Sequence, residues 1–502
     1  MTKNADTITV AGVQLNTGLF INNEWVAGRG EPLQSIDPAT EEVIATIQTA
    51  TPEDVDDAVA AARNAFENTW GTNVSGQERG QLLFALADQV EQNIERLAAL
   101  EVVDAGKPCA WARVDMEDTV ACLRYYAGWA DKIHGTTIEI DDKEKHAVAR
   151  KEPIGVVAQI VPWNYPILML AWKVGPALAA GCSIVFKAAE QTPLSTLLFA
   201  ELVRAAGYPA GAFNLVNGVG AVTGDALARH MDVDKIAFTG STATGRRIAV
   251  AAAQSNLKAV TLELGGKSPN IVFEDADVGE AAKWAAFGVF ENMGQSCSAG
   301  SRVLVQAGVY DAFVAEFKRQ AEAFAVGDVN DPKTFQGPQV SKLQFDKIMG
   351  YIAEGKKGAR LVTGGERHGS KGYFVQPTVF ADVEMGTKIA DEEIFGPVAS
   401  VIKFGSEEEG IKIANDTSYG LAAAVHSQNY ARVQRVTRRL KAGTVWVNQY
   451  TLLSHAIPFG GYKQSGWGRE LGAAGLEPYL TTKSVHHYYG GPFEWPINLS
   501  KL

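Results

Sequence analysis

The sequence predicts an α/β fold with a doubly wound parallel sheet, a second α/β domain and a small β segment. Between residues 155 and 264, apolar runs of strand length alternate with helical patterns, which is typical of a parallel sheet covered by helices on both faces. Residues 268 to 461 repeat this alternation with less regular spacing. A chain of 502 residues, 46% of them hydrophobic, has room for about three domains.

Composition and charge exclude several classes of protein. The formal net charge is -11 and the isoelectric point is near 5.4, so nucleic acid and anionic membranes are poor partners. The 4 cysteines have no C-x-x-C spacing, which argues against both a disulfide framework and a metal site. The N-terminus has no signal-peptide or Arg-rich pattern, and no stretch reaches transmembrane length, so we expect a cytoplasmic protein.

The N-terminal region predicts elements that pack and carry no chemistry. Alternating runs between residues 19 and 50 predict strands and turns. Thr51, a following proline and two acids predict the start of a helix whose apolar residues continue to Phe66. A second helix is predicted from about Gln77 to Asp104.

Two β segments stand apart from these elements. Residues from Ile133 to Arg150 predict a hairpin with a charged tip, Asp-Asp-Lys-Glu-Lys. Near the C-terminus, Thr-Lys-Ser-Val-His-His-Tyr-Tyr predicts a strand with no obvious local partner. Unpaired strand edges favour pairing with another subunit, so we expect a homo-oligomer.

Two glycine-rich loops follow predicted strands of the parallel sheet. The first contains Gly218, Gly220 and Gly224, and the second runs from Gly240 and Ser241 to Gly245 and leads into a helix. Such loops can present amide groups to a phosphate, but neither is the strict G-x-G-x-x-G pattern, and each also fits a plain strand-to-helix turn. The Gly-Gly-Lys-Ser at 265 to 268 is not a Walker loop, because a threonine stands where that loop needs its first glycine.

Charged and polar side chains occur at the ends of several predicted strands. Lys187 ends one strand and Glu190 follows it, so the carboxylate could bind ribose hydroxyls and repel a 2′-phosphate, or the two could form a solvated pair. Glu263 lies between leucines at another strand end, where a carboxylate is either costly or used. Asn164 could stabilise an oxyanion or cap its own turn.

A cysteine lies in a turn of small residues, Gly-Gln-Ser-Cys-Ser-Ala-Gly, in the second half of the chain. The thiolate of Cys297 could attack a carbonyl, although a small buried hydrophobic residue is an alternative interpretation. A nucleophilic role needs an oxyanion donor, a base that activates water and an oxidant. Asn164, Glu263 and the glycine-rich loops are the candidates for these parts.

Together these motifs resemble the NAD(P)-dependent aldehyde dehydrogenase superfamily, in particular the class 1/2 and betaine-aldehyde-type branch. The resemblance covers about residues 19 to 490, in family order. It is carried by Pro-Trp-Asn-Tyr-Pro, Phe-Lys-Ala-Ala-Glu-Gln-Thr-Pro-Leu, Phe-Thr-Gly-Ser-Thr-Ala-Thr-Gly, Leu-Glu-Leu-Gly-Gly-Lys-Ser-Pro, Gly-Gln-Ser-Cys, Glu-Glu-Ile-Phe-Gly-Pro and Pro-Phe-Gly-Gly-Tyr-Lys-Gln-Ser-Gly.

The resemblance implies roles for matching positions. Cys297 would be the nucleophile, Glu263 the general base, Asn164 and the Cys297 amide the oxyanion hole, and Lys173 with Glu470 a proton relay. The implied cofactor-binding residues are Trp163, Lys187, Glu190, Gly220, Gly240, Ser241, Gly245, Leu264, Gln344, Lys347, Glu393 and Phe395. The implied substrate-binding residues are Tyr165, Met169, Trp172, Glu291, Leu453 and Phe459, with no metal ligands.

It also implies a domain plan and a reaction. Residues 1–130 with 152–264 would bind NAD, 265–480 would be catalytic, and 131–151 with 481–502 would bridge subunits. The reaction would be oxidation of an aldehyde to an acid with NAD, and NADP is less favoured because of the carboxylate at position 190. A CoA-acylating enzyme and a non-catalytic structural relative are alternatives. The first has little use for a base at position 263, and the second would lose site residues that are all present here.

Position 291 departs from the family pattern. Many relatives carry an aromatic residue six positions before the nucleophile, whereas this chain has Glu291. The carboxylate could turn away from an apolar tunnel, or it could favour cationic or hydrogen-bonding aldehydes such as betaine aldehyde or an aminoaldehyde. The first alternative needs only a rotamer choice, so we expect medium-sized, aromatic or broad-range aldehydes as substrates.

Overall fold

The computed structural model describes residues 6–140, 143–491, 495 and 497. The N-terminal region forms the strands β1 (Thr7–Val10), β2 (Val13–Asn16), β3 (Leu19–Ile21), β4 (Glu24–Val26), β5 (Gly30–Asp37) and β6 (Glu42–Thr49). The helices α1 (Pro52–Asn68), α2 (Gly76–Gln92), α3 (Ile94–Ala105) and α4 (Cys109–Ala127) follow. β1 pairs with β2 and β5 with β6, whereas β3 and β4 extend the first large sheet.

The helical part of this region agrees with the sequence only in part. α1 begins as predicted, with the backbone N–H of Thr51 donating to the Asp54 carboxylate at 2.9 Å. The single helix predicted from Gln77 to Asp104 is wrong, because the chain breaks it at Asn93 into α2 and α3. The Asn93 amide donates to the Gln89 carbonyl at 2.8 Å, so a side chain competes with the helical backbone there.

The next part of the chain contains the first large sheet. Its elements are β7 (Thr136–Ile138), β8 (Lys145–Pro153), β9 (Val156–Ile160), α5 (Pro166–Ala180), β10 (Ser183–Lys187), α6 (Leu194–Ala205), β11 (Phe213–Leu215), α7 (Asp225–Arg229), β12 (Lys235–Thr239), α8 (Thr242–Gln254) and β13 (Ala259–Glu263). The parallel strands lie in the order β13-β12-β9-β10-β11, so the apolar runs predicted to be strands are confirmed.

Both faces of this sheet are covered, as a doubly wound sheet requires. Val157 and Ile184 face a core that includes residues of α2 to α6. Val156 and Val185, the neighbouring positions on the same strands, face a second core with α1, α7 and α8. Successive residues of a strand point to opposite faces, which explains why these strands are apolar without interruption.

The remaining elements form a second large sheet and return to the first. They are β14 (Pro269–Val272), α9 (Val278–Phe290), β15 (Arg302–Gln306), α10 (Tyr310–Ala323), α11 (Lys342–Gly358), β16 (Arg360–Thr363), β17 (Thr378–Ala381), α12 (Lys388–Asp391), β18 (Val398–Phe404), α13 (Glu407–Asn415), β19 (Ala422–His426), α14 (Tyr430–Arg439), β20 (Thr444–Val447), β21 (Gly466–Trp467) and β22 (Leu480–Tyr488). The sheet order is β16-β17-β18-β15-β14-β19-β20. β21 pairs with β13 of the first sheet. The predicted domain boundaries stay a prediction.

A small antiparallel sheet has the order β22-β8-β7. The pairing of β7 with β8 confirms the predicted hairpin. The partner of the C-terminal strand is distant along the chain, because β22 pairs with β8 from Leu480 to Tyr488. Residues 141 and 142 of the hairpin tip, and residues 492–494, 496 and 498–502 of the predicted bridging segment, lie outside the described residues.

The carboxyl ends of the parallel strands share one edge of the first sheet. The chain leaves β9 toward Asn164, β10 toward Glu190 and β12 toward Ser241, while β13 ends at Glu263. β9 lies between β10 and β12, where the strand order reverses, and open α/β sheets bind ligands at such a switch point. Among the described residues, no helix has the length and apolar character that crossing a membrane requires.

Candidate active site

A cavity of about 530 Å³ opens at this edge and reaches Cys297. It is lined by most of the predicted site residues, namely Trp163, Asn164, Tyr165, Met169, Trp172, Gly240, Ser241, Glu263, Leu264, Glu291, Cys297, Gln344, Lys347, Glu393, Phe395, Leu453 and Phe459. The predicted residues that do not line it are Lys173, Lys187, Glu190, Gly220, Gly245 and Glu470. The cavity therefore joins residues from both large sheets.

Cys297 lies at the end of an unusual turn between α9 and β15. Asn292 and Met293 have left-handed backbones, with φ of 50° and 59°, and Gly294 follows with φ of 69°. A Cβ at position 294 would lie 2.3 Å from the Gly396 carbonyl oxygen, so only glycine fits there. The turn leaves the cysteine half-buried beside the cavity.

Hydrogen bonds fix this turn against the loop that carries Asn164. The Asn164 side-chain amide donates to the Gln295 carbonyl at 2.8 Å. The Asn292 amide donates to the Asn164 carbonyl at 2.9 Å. One of the two amide hydrogens of Asn164 remains for an oxyanion. Asn292 is a structural contributor that the sequence reasoning missed.

Burial controls the protonation of the catalytic candidates. Burial, then Glu263, Glu393 and Glu470, raises the pKa of the Cys297 thiol well above its usual range. Burial, and next the Glu470 charge, raises the pKa of Glu263 well above its usual range, while Lys173 opposes the shift. Glu263 Oε1 is buried and has no hydrogen-bond partner among the described residues. Glu263 is therefore a carboxyl group that binds a proton readily.

Lys173 and Glu470 form a buried pair beside the cavity. The Lys173 ammonium donates to the Thr239 hydroxyl at 2.6 Å and contacts the Glu470 carboxylate. Both charges influence the pKa of Glu263, and Glu470 also influences that of Cys297. The pair thus lies within electrostatic reach of Cys297 and Glu263.

The cavity extends to the ends of β10 and β12, where Gln191, Gly240 and Ser241 line it. Ser241 caps α8, its hydroxyl accepting from the Thr244 amide at 3.2 Å, and the helix N-terminus lies at the cavity. Gly245 packs so closely on Leu264 that a Cβ would lie 2.5 Å from a leucine methyl. This packing lets the helix approach the strand, as in dinucleotide-binding sheets.

Lys187 and Glu190 lie at the end of β10 but do not line the cavity. Lys187 is buried, its ammonium donates to the Ala188 carbonyl at 3.1 Å, and burial lowers its pKa to about 8. Glu190 is half-buried and accepts from the backbone N–H of Gly220. Lys187 and Glu190 therefore lie beside the first glycine-rich loop, next to Gly224 and Gly220 respectively.

The second sheet supplies the opposite wall. The Glu393 carboxylate accepts from the Gly266 amide at 2.9 Å, and burial raises its pKa to about 6. Phe395 has φ of 60° and packs edge-on against Trp163, with ring centroids 5.2 Å apart. Lys347 donates to the Glu393 carbonyl at 3.3 Å. Trp163 and Phe395 thus join the two sheets across the cavity.

The predicted substrate residues form an aromatic wall with one carboxylate in it. Trp172 and Phe459 pack edge-on, with centroids 5.4 Å apart. The expectation that Glu291 turns away from the tunnel is wrong, because Glu291 lines the cavity and accepts from the Tyr165 hydroxyl at 2.9 Å. The Tyr165 hydroxyl is therefore the hydrogen-bond partner of this carboxylate.

Helix α4 contributes a part of the wall that the sequence reasoning missed. Trp111, Val114, Asp115 and Asp118 all line the cavity. Their spacing of three to four residues places them on one helix face, and that spacing was visible in the sequence. The wall at this end contains two further carboxylates.

Comparisons with known proteins agree with this geometry. The model of the aldehyde dehydrogenase family matches residues 25–485. An aldehyde dehydrogenase of Emericella nidulans is 58% identical over 475 residues, which is 94% of this chain and 95% of that protein. The NAD+ complex of an aldehyde dehydrogenase from Bacillus cereus is 49% identical, has a TM-score of 0.92 and covers 94% of this chain and 97% of that one. A betaine aldehyde dehydrogenase from Staphylococcus aureus with NAD+ is 41% identical, with a TM-score of 0.93 and coverage of 95% and 96%. The chain belongs to the aldehyde dehydrogenase family.

Proposed function

We propose that the protein oxidises an aldehyde to a carboxylic acid with NAD, through a thiohemiacetal and a thioester on Cys297. The observation that carries this proposal is the convergence of Cys297, Asn164 and Glu263 on one cavity that extends to the N-terminus of α8. A nucleophile, an oxyanion donor and a base are the parts that acyl transfer through a thioester requires.

The residues present fit NAD. Gly240 and Ser241 at the N-terminus of α8 would hold the pyrophosphate. Lys187 and Glu190 would bind the ribose, and the carboxylate at 190 would disfavour a 2′-phosphate by like charge. Glu393 and Phe395 would hold the nicotinamide end, where they line the cavity near Cys297. NAD, when bound, accepts the hydride from the substrate carbon.

The first covalent step takes place between the loop that carries Asn164 and the turn that carries Cys297. The Cys297 sulfur attacks the aldehyde carbon, and the thiol proton passes to a base or water. The free amide hydrogen of Asn164 and the Cys297 backbone N–H stabilise the oxyanion of the thiohemiacetal. Collapse of that oxyanion expels the hydride and leaves a thioester on the sulfur.

Glu263 acts in the second step. It takes a proton from water as the oxygen attacks the thioester carbon, and the thiolate leaves as the acid forms. Its raised pKa supports this role, because the carboxylate then binds the proton readily. Lys173 and Glu470 offer the proton a path away from the cavity.

An experiment on Glu263→Gln distinguishes the proposed acid-forming enzyme from a CoA-acylating enzyme and from a non-catalytic structural relative. We expect up to one equivalent of NADH per active site and then a stall, with an acyl adduct of Cys297 visible by mass spectrometry. The control Glu477→Gln changes a surface residue outside the cavity and should turn over steadily. Steady turnover by Glu263→Gln would remove Glu263 from the mechanism. Rapid release of the adduct by CoA would favour a CoA-acylating enzyme, and no NADH from the unmodified protein would favour a structural relative.

We further propose that the protein is a homo-oligomer of the cytoplasm. Support for assembly comes from the edge of β22, whose residues are largely exposed and whose outer side has no strand partner among the described residues.

The apolar walls of the tunnel, including Met169, Trp172 and Phe459, support a substrate chain of medium length.

A further inference from the structure

A buried tyrosine of the second large sheet contacts the turn that carries Cys297. Tyr450 follows the end of β20 by three residues and is fully buried. Its hydroxyl donates to the Ser298 carbonyl at 2.7 Å, so it bonds to the residue directly after the proposed nucleophile. No other hydrogen bond to that carbonyl occurs in the described part of the chain. Ser298 lines the cavity and Tyr450 does not, so the tyrosine reaches the turn from outside the cavity.

Two glycines make room for the ring of Tyr450. A Cβ at Gly288 on α9 would lie 2.6 Å from the ring, and a Cβ at Gly300 would lie 2.8 Å from it. Neither glycine has a left-handed backbone, so the space that the ring occupies is what requires glycine at both positions. The Gly300 N–H donates to the Gly288 carbonyl at 3.0 Å. The ring therefore packs on the segment before the Cys297 turn and on the segment after it.

The opposite end of the turn is fixed at Gln295. Its backbone carbonyl accepts from the Asn164 side-chain amide at 2.8 Å, and its side-chain carbonyl accepts from the Val340 N–H at 3.0 Å. Cys297 lies between this anchor and the Ser298 carbonyl. Loss of the tyrosine hydroxyl would therefore leave the turn held by hydrogen bonds on one side of the cysteine only.

The hydroxyl of Tyr450 remains a donor near neutral pH. Burial is the largest cause that raises the pKa of Tyr450 well above its usual range, so the hydroxyl keeps its proton. Ser298 is buried, and a buried carbonyl that loses its donor is costly. Without the hydroxyl, the segment after Cys297 would move to satisfy that carbonyl elsewhere.

The ring of Tyr450 contacts a different part of the site from its hydroxyl. Trp446 packs on the ring, with centroids 4.8 Å apart, and the indole N–H of Trp446 donates to the Leu452 carbonyl at 3.0 Å. Thr451, Leu452 and Leu453 follow the tyrosine directly and line the cavity. The ring thus stabilises the tunnel wall, whereas the hydroxyl holds the turn. A variant that loses the hydroxyl alone should leave the wall in place.

We infer that Tyr450 is a positioning residue for Cys297. Its hydroxyl holds the turn so that the sulfur and the backbone N–H of Cys297 face the cavity beside Asn164. This inference rests on the proposed function. Attack on a carbonyl needs the sulfur at close range and correctly oriented, and an oxyanion needs donors in fixed positions. Because Tyr450 does not line the cavity, it acts on the reaction only through the turn.

The variant Tyr450→Phe removes the hydroxyl and keeps the ring. Rapid mixing with NAD and a range of butanal concentrations measures the NADH formed in the first turnover. We expect the maximal first-turnover rate to fall about tenfold or more, because the sulfur and the oxyanion donors are misplaced. The half-saturating butanal concentration and the Kd of NAD should stay within about twofold of those of the unmodified protein, because the tunnel wall and the cofactor side are unchanged.

The variant Tyr310→Phe is the matched control. Tyr310 is also a buried tyrosine that packs against the second large sheet, and it does not line the cavity. Its hydroxyl accepts from the Asp382 N–H at 2.7 Å, so its loss also leaves a backbone group without a partner. We expect both variants to lower the unfolding temperature, whereas only Tyr450→Phe should lower the first-turnover rate.

Three results would overturn the inference. The first is a maximal first-turnover rate in Tyr450→Phe within about twofold of that of the unmodified protein. The second is an equal fall in Tyr310→Phe, and the third is a fall accompanied by an equal loss of butanal or NAD binding. The last two would show general loosening of the fold and not placement of the turn.

A further variant decides if Tyr450→Phe does not fold. In Gly288→Ala, the three atoms nearest to the added methyl group all belong to Tyr450, so the methyl group displaces the tyrosine. We expect the same fall in the first-turnover rate, and an unchanged rate would overturn the inference. All these outcomes leave the proposed function standing. If the unmodified protein forms no NADH from any aldehyde, the proposed function falls, and the inference falls with it.

Discussion

At the scale of single residues, Glu190 should set the choice between the two nicotinamide cofactors. Its carboxylate lies at the end of β10, beside the Gly220 loop, where a 2′-phosphate would meet like charge. We expect Glu190→Ala to raise the ratio of NADP to NAD kcat/KM about tenfold or more. Glu190→Gln keeps the hydrogen-bond acceptor and removes the charge, so it should give a similar rise. A ratio unchanged in both variants would show that Glu190 is not at the ribose.

Glu291 should also give the substrate preference a pH dependence. Burial raises its pKa to about 7; Asp115 and Asp118 add to the shift, while the Tyr165 hydroxyl and Lys107 oppose it. Below that pKa the carboxyl is neutral and cannot attract a cation, so preference for 3-aminopropanal over butanal should rise as the pH passes through about 7. The inflection should vanish in Glu291→Gln. A ratio that stays flat across that range in the unmodified enzyme would show that the charge of Glu291 does not act on the substrate.

The sequence predicted individual site residues better than their partners. Strand ends and loop glycines indicated where Glu263, Glu190 and Ser241 lie, because strand-to-helix loops follow directly from hydrophobic patterning. The partner of Glu291 could not be predicted in this way. Tyr165 is 126 positions away along the chain and reaches Glu291 only through the approach of the two large sheets.

At the scale of elements, the sequence predicted the boundary of a helix where a single residue determines it. The acid at position 54 fixes the start of α1, and a glycine with φ of 70° follows the end of α3. Asn93 ends one helix and starts another in the middle of a continuous apolar pattern, which periodicity alone does not reveal. The face of α4 that lines the tunnel was readable as a periodic pattern, but only the fold shows that this face meets a cavity and not a core.

The same limit applies to strand pairing. β8 and β22 are more than 300 residues apart, and neither sequence contains a pattern that indicates which strand it pairs with. Their pairing depends on the chain returning from the second sheet to the first. The pairing of β21 with β13, just before β22, is the step that brings the chain back.

At the scale of the whole molecule, the proposed catalytic residues come from different regions. The first sheet contributes Asn164, Glu263 and the proposed cofactor loops, whereas the second contributes Cys297 and Glu393 in the segments that lead into β15 and β18. Hydrogen bonds from Asn164 and Asn292 join the two sets. The proposed reaction therefore requires the two large sheets to keep fixed positions relative to each other. Subunit assembly is one way to keep them so.

The outer edge of β22 is the candidate interface for subunit assembly. β22 shields one edge of β8 and presents its own outer edge, which is largely exposed and has no strand partner among the described residues. Backbone donors and acceptors along such an edge favour pairing with a second chain. Deleting residues from Thr481 onward should therefore reduce the mass measured by light scattering to that of one chain.

A shorter deletion, from Gly491 onward, is the matched control, because it leaves all of β22 in place. It should keep the mass of the unmodified protein. Thermal unfolding of both truncated proteins checks that the large sheets still fold, since a loss of assembly through general unfolding would also lower the unfolding temperature of the sheets. A protein truncated at Thr481 that folds and keeps the full assembled mass would show that β22 does not carry the interface. The exposed edge would then have to be protected by its charged and polar side chains alone, as edge strands of monomeric proteins are.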